Sequence, residues 1–187
     1  MRHRPWQESN NLRKFRLKLD IIDIEMLKIS RLRSPSDHAA AARLMAASDP
    51  WKRLGITYDR CLNSVKAAFG ELYAARDGSE IRGLVQIIMY GTLKGYIRAL
   101  CVAPGCRDMG LGARLMLRAE RRIAAVSPNV FLCVSSFNKD ALRFYKRLGY
   151  KKTGVLKDFL VKGSDELLLR KTTGPLLSFK RAYKRKP

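Results

Sequence analysis

The stretch VAPGCRDMGLGARLMLRAERRI, beginning at Val102, leaves this chain little choice of architecture. An apolar run, YIRALCV, stops at Pro104-Gly105; a polar segment bracketed by glycines follows. Leu111, Leu115, Met116, Ala119 and Ile123 then recur at helical spacing. A change from period two to period 3.6 across a glycine turn marks a strand, a hinge and a helix. Arg114, Arg118, Arg121 and Arg122 fall on the other side of that helix.

The flanking sequence supplies a sheet for the unit to join. MLKISRLR, from Met26, alternates as a first strand, and SPSDHAAAARLMAASDP reads as a helix that starts at Ser36 and Asp37 and stops at Pro50. A second helix is expected over YDRCLNSVKAAFG, with Leu62, Val65 and Phe69 on one side. ELYAARDGSEIRGLVQIIMYG reads as two strands joined at Asp77-Gly78, a strong hairpin signal. After the hinge helix come a strand (NVFLCVSS), a short helix (NKDALRFYKRLG) closed by Gly149, and a terminal strand pair in TGVLKDFLVKGSDELLLRK. An early hairpin followed by strand-helix alternation predicts an α/β fold, a single domain with a mixed central β-sheet flanked by helices. The expected boundaries are a basic extension over 1–25, with Met26 as an alternative start, a domain over 26–173 and a basic tail over 174–187.

Composition narrows the class without choosing a function. The 187 residues suffice for one core. Cys61, Cys101, Cys106 and Cys133 form no CxxC pair and no zinc pattern, so reduced thiols, a cytoplasmic location and no metal are expected. No apolar run approaches the ~20 residues of a membrane span. The net charge of +22, from 38 Lys+Arg against 16 Asp+Glu, permits nucleic-acid, ribosome or anionic-membrane association, an anionic cofactor, or merely a basic surface.

The hinge itself suits an anion. Gly110 and Gly112 permit a tight turn and close backbone approach, the first amides of the following helix are unpaired donors, and Arg107 adds charge at the rim. The same glycines would also serve simply to turn the chain. GxxxxGK[ST] is absent, and the spacing does not match GxGxxG.

R-x-x-G-x-G at Arg107 to Gly112, followed after a strand by N-x-x-A-x-x-x-Y-x-x-x-G at Asn138 to Gly149 with Tyr150 next, resembles the GNAT family of acetyl-CoA-dependent N-acetyltransferases. The two motifs cover the central part of the chain, and the element order from Met26 to Lys171 fits that family's fold. The resemblance implies that the diphosphate of CoA lies on the backbone of Arg107, Asp108, Met109, Gly110, Leu111, Gly112 and Ala113. It further implies that the pantetheine arm runs along Leu100, Cys101 and Val102 and meets Asn138.

Acetyl transfer needs a neutral amine, donors for an oxyanion and a proton for the departing thiolate. The resemblance gives the acid role to Tyr145, which by spacing alone would join an apolar stripe with Ala141, Phe144 and Leu148. The oxyanion donor is expected to be a backbone N–H near Cys101 or Val102. A glutamate base used by the ribosomal-protein alanine acetyltransferase branch falls here on Cys133, read as a small buried hydrophobe. Glu71, Asp158 and Glu166 are the other carboxylate candidates. An acetyl-cysteine at Cys101 is set aside in favour of direct attack, as the resemblance implies.

The expected acceptor is a primary amine, on a small metabolite or on a peptide or protein N-terminus. Its specificity is assigned to SDPWKRLGITYDRCL, with Trp51 and Tyr58 as pocket candidates, and to KDFLVKGSDE. The alternative is a basic ribosome- or RNA-associated binding module on the same fold, suggested by RHRPW, LRKFRLK and KRAYKRKP, though no aromatic RNA-binding motif accompanies them. Weak nucleic-acid association and a dimer are compatible with either reading.

Overall fold

The computed structural model describes residues 26–67 and 70–179; the N-terminal extension, Phe69 and the end of the basic tail lie outside them. The elements follow the expected order: β1 (Lys28–Arg31), α1 (Pro35–Ala46), α2 (Tyr58–Lys66), β2 (Gly70–Asp77), β3 (Glu80–Ile88), β4 (Tyr96–Val102), α3 (Leu111–Ala124), β5 (Asn129–Ser135), α4 (Lys139–Arg147), β6 (Lys151–Val161) and β7 (Ser164–Thr172). The strands form one mixed sheet, ordered β1-β2-β3-β4-β5-β7-β6. Among the described residues only β4 and β5 pair in parallel; the other neighbours are antiparallel. Among the described residues no helix is long and apolar enough to cross a membrane.

Strand alternation feeds two cores from the same residues. Tyr73, Ala75, Val85 and Ile87 meet α3, whose Leu111, Leu115, Met116, Ala119 and Ile123 are at most 1% exposed. Leu72, Ala74, Leu84, Ala99 and Cys101 instead meet Ala41, Ala42 and Met45 of α1 and Cys61 and Val65 of α2. Fully buried Gln86 ties β3 to α2 by donating from Nε2 to the Ser64 carbonyl at 2.8 Å. Tyr58, read from sequence as a pocket candidate, packs against this second cluster.

One local expectation needs correction. Helix α1 is capped by Ser34 rather than Ser36: Ser34 Oγ accepts from Asp37 N–H at 3.1 Å, and the Asp37 carboxylate accepts from Ser34 N–H. Pro35 drives the earlier start, because it has no N–H to satisfy and its fixed φ suits the first helical position. Three arginines on the other side of α3 make specific contacts. Arg118 stacks over Tyr73 at 4.6 Å, Arg114 donates to the Leu27 carbonyl at 3.0 Å, and Arg122 grips Glu71 with two bonds of 2.9 and 2.6 Å.

The register between β3 and β4 shifts at one place: Gln86 pairs Ala99 and Ile87 pairs Ile97, leaving Arg98 as an extra residue. A bulge bends its strand. Pairing between β4 and β5 reaches Ile97–Leu132, the residue before the bulge, and goes no further among the described residues. Beyond it the two strands part and the sheet opens.

Burial alone would raise the Glu71 carboxyl, but its bonds from Arg122 and Tyr73 win and hold it below the ordinary range. Replacing Arg122 by Ala should cost about 1–3 kcal/mol, less than for a fully buried pair because a third of the Arg122 side chain is exposed. The Glu71 contribution is complete above the unfolded carboxyl's pKa and is lost as pH falls through the lowered folded value. Urea midpoints measured from neutral to acidic pH should therefore converge for wild type and Arg122→Ala. Parallel curves would refute this account of the pair.

Candidate active site

A cleft of about 1630 Å3 occupies the opening between β4 and β5. Leu100, Cys101 and Val102 line it from β4. The Ala103 amide donates to the Arg82 carbonyl at 2.9 Å, so alternation turns the Cys101 amide to β3 and the Leu100 and Val102 amides to the gap. Of the two donors expected near the thioester, Val102 keeps its N–H on the open side and Cys101 does not.

The hinge continues that edge. Asp108 and Gly110 adopt positive φ values of 59° and 85°, and the helical ladder of α3 opens with Arg114 N–H to the Gly110 carbonyl at 3.1 Å. The amides of Leu111, Gly112 and Ala113 precede that ladder and form the positive end of the helix. Arg107, Asp108, Gly110, Gly112 and Ala113 line this end of the cleft. Met109 and Leu111 do not: Met109 points outward at 42% exposed, and the Leu111 side chain is wholly buried in the core. Arg107 is exposed and its Nε reaches back to the Val102 carbonyl at 3.3 Å, fastening the hinge to the strand end.

The two glycines differ in their surroundings. A Cβ on Gly110 would touch nothing within 4 Å; its positive φ is what disfavours other residues. A Cβ on Gly112 would sit 3.4 Å from Phe144 Cζ and 3.7 Å from Val102 Cγ2. Those are ordinary contact distances, so Gly112 sits where α3 meets α4 and β4 and also lines the cleft.

Helix α4 contributes Asn138 and Tyr145 to the cleft. Asn138 caps α4, its Oδ1 accepting from Ala141 N–H at 3.1 Å, which leaves Nδ2 as its donor. Tyr145 is held edge-on by Phe144 at 5.3 Å and Tyr150 at 5.8 Å, while Tyr150 donates to Glu120 at 3.0 Å. The Tyr145 hydroxyl has no hydrogen-bond partner among the described residues, and burial raises its pKa, so it stays a protonated donor. The Tyr145 ring lies in the packing stripe, and the residue also forms part of the cleft wall.

The three carboxylate candidates separate cleanly. Glu71 is locked by Arg122 and lies outside the cleft; Asp158 is exposed, lies outside it too, and accepts from the Gly163 amide. Glu166 lines the cleft, is 4% exposed, and pairs in register with Ser135 of β5, whose Oγ donates to it. Burial raises its pKa more than the Ser135 bond lowers it. Cys133 and Tyr96, also on the wall, hydrogen-bond to each other, and burial raises the pKa of each. Cys133 is therefore a protonated thiol. Burial likewise pushes the Cys101 thiol up to about 11, which makes it a poor nucleophile. Sequence reasoning passed over Ser135 and Tyr96; the alternation that puts Cys133 and Ser135 on one face of β5 was the available signal.

At the far end the walls are apolar. Trp51 and Leu54 project from the α1–α2 connection, Tyr90 and Leu93 from the β3–β4 connection, and Phe159 and Leu160 from β6. The β6–β7 register jumps from Leu156–Glu166 to Val161–Ser164, so residues 157–160 bulge outward, with Asp158 at φ 50°. Among the described residues no cluster of His, Cys, Asp and Glu could hold a metal ion.

Comparison with known proteins agrees with this geometry. An N-alpha-acetyltransferase of Sulfurisphaera tokodaii is 30% identical over 78 residues, 41% of this chain; the match spans about half, 47%, of that protein's length. A solved GNAT-family putative acetyltransferase from Desulfovibrio desulfuricans superposes with a TM-score of 0.67 at 20% identity, covering 79% of this chain and 99% of that one. An aminoglycoside 6'-N-acetyltransferase solved with coenzyme A gives 0.65 at 20% identity, covering 80% and 98%. These two structures share the fold. Residues 36–150, well over half of the chain, match the sequence profile of the acetyltransferase (GNAT) family, and the chain belongs to that family.

Proposed function

We propose that this protein is an N-acetyltransferase that moves acetyl from acetyl-CoA to a primary amine by direct attack. The observation that carries this reading is the pair of outward-facing backbone donors at Leu100 and Val102 together with the free first-turn amides of Leu111, Gly112 and Ala113 along the same cleft. In this reading the hinge amides and Arg107 hold the diphosphate, the open edge of β4 holds the pantetheine arm with Asn138 Nδ2, and Met109 is a bystander. Leu111 contributes only its backbone. The coenzyme A complex of the structurally similar aminoglycoside enzyme supports the choice of donor. The catalytic domain is assigned to 26–173, with basic extensions on either side. Four free cysteines suit a reducing, cytoplasmic compartment.

Bound acetyl-CoA supplies an activated acetyl carbonyl. The Val102 amide, aimed into the gap, is the donor for the oxygen that gains charge on attack. Tyr145, neutral across the physiological range, gives its proton to the departing sulfur as the carbon–sulfur bond breaks. Phe144 and Tyr150 keep its ring from swinging away.

The acceptor end favours an amine attached to an apolar group, with a peptide N-terminus bearing an apolar first side chain as the leading form. Trp51, Tyr90, Leu93, Phe159 and Leu160 offer it contact area. A polycationic acceptor is disfavoured because Arg60, Arg98, Arg107, Arg143 and Arg147 line the cleft against Asp49, Asp108, Asp140 and Glu166, on a chain of net charge +22.

Calorimetric titration should give saturable binding of both acetyl-CoA and dephospho-CoA, lost in Gly110→Glu. Binding of neither by folded wild type would overturn the donor assignment. Tyr145→Phe should keep acetyl-CoA affinity and lower kcat about a hundredfold; unchanged turnover would remove Tyr145 as the acid. In a thiol-release assay, peptides with an apolar first residue should outperform spermidine and aminoglycosides by at least about tenfold, a margin that a few buried methylenes can supply. The reverse order would overturn the acceptor reading.

A further inference from the structure

Glu166 is a carboxylate in an expensive position. It sits on β7 across from Ser135 of β5 and Leu156 of β6, at 4% exposure, and no Lys or Arg pairs with it among the described residues. The groups that face it are the Ser135 hydroxyl, which donates to it, with the Cys133 thiol of β5 and the Tyr96 phenol of β4 nearby. None of these carries a positive charge. A buried carboxylate needs a cation or several donors to remain ionised at low cost. Glu166 has one donor and opens onto the same cleft wall as Tyr145 and Val102. The missing counter-ion is what an amine substrate brings.

We propose that Glu166 receives the acceptor's ammonium group as its counter-ion and removes one proton from it, with Ser135 holding the carboxylate in position. This rests on the acetyltransferase reading above and adds to it the base that reading lacks. The ammonium N–H bond breaks and its proton passes to the Glu166 carboxylate, leaving a neutral amine whose lone pair forms the carbon–nitrogen bond. As the carbon–sulfur bond breaks, sulfur leaves with the Tyr145 proton. The nitrogen's second surplus proton goes to solvent, Tyr145 is reprotonated from solvent and Glu166 releases its own, for a net release of one proton per turnover. Glu71 cannot take this part because Arg122 already neutralises it, and Cys133 cannot because its thiol stays protonated at neutral pH.

The environment fixes the sign of the pH dependence. Burial holds the Glu166 carboxyl above its ordinary value, so the base form grows in, and kcat/KM rises, as pH increases through that raised value. Removing the Ser135 hydroxyl takes away the one contact favouring the charged form, which moves this limb to still higher pH.

The test uses the full chain and the best amine from the acceptor panel, with three readouts. In Glu166→Gln, which is isosteric and can keep the Ser135 contact, calorimetric acetyl-CoA affinity should stay at the wild-type value. Its kcat/KM should fall about a hundredfold near neutral pH, KM for the amine should rise, and the acidic limb should flatten until the amine's own ionisation replaces it. Ser135→Ala should retain turnover with the limb displaced to higher pH. In the free protein, carbon NMR of labelled glutamate should show one carboxyl titrating above the ordinary range, absent in Glu166→Gln and displaced upward in Ser135→Ala. Wild-type kcat/KM with an unchanged pH profile in Glu166→Gln would overturn the proposal, as would a Glu166 carboxyl titrating at the ordinary value. Turnover by wild type that survives in Glu166→Gln removes this inference alone; no turnover by wild type with any amine removes the acetyltransferase reading and this inference together.

Discussion

The molecule depends on a sheet that is interrupted at one point. Among the described residues seven strands run as a single layer, yet its one parallel contact, between β4 and β5, ends at Ile97–Leu132. The Arg98 bulge is the local cause, since it bends β4 away while the antiparallel ladder to β3 continues on both sides of the register shift. The rest of the cleft is built on that divergence. Backbone groups that a continuous sheet would consume remain for a ligand, the hinge begins where the freed edge ends, and β5 and β7 present side chains across the gap. A fold stabilised by two apolar layers can tolerate such a break because neither layer is cut. The α1–α2 cluster and the α3 cluster each span β2 and β3, where pairing runs the full strand length.

Much of this was legible in the residues. The change of period at Pro104-Gly105 located the strand, hinge and helix, and the five apolar residues assigned to one face of α3 are the five that are buried. Asp77-Gly78 located the hairpin, and the paired motifs at Arg107 to Gly112 and Asn138 to Gly149 located the two elements that frame the cleft. These signals are local: periodicity and turn chemistry act over a few neighbours and survive without knowledge of the tertiary structure.

What could not be read depends on distant partners. Nothing in YIRALCV marks Arg98 as the bulged residue, because the extra residue is defined only against β3. The same holds for carboxylates. Glu71, Asp158 and Glu166 look alike in sequence, and they differ because Arg122 lies 51 residues from the first, the second stays in solvent, and Ser135 lies 31 residues from the third. The neighbours of Gly112 are likewise distant in sequence. Phe144 on another helix lies beside it, whereas Gly110 answers to its own backbone angle. The capping serine moved by two residues because Pro35 outweighed the more obvious Ser-Asp pair.

The nearness of Gly112 to Phe144 also ties the two ends of the cleft together. A Cβ on Gly112, in the first turn of α3, would meet the Phe144 ring in ordinary contact, and the same ring packs edge-on against Tyr145. The hinge and the phenol are thereby joined through one packed ring. Under the proposed function, a donor would have to bridge the distance between them to present its carbonyl beside the phenol. A thioester on a truncated arm would then fall short, however reactive, and donor length would be selected ahead of the acyl group.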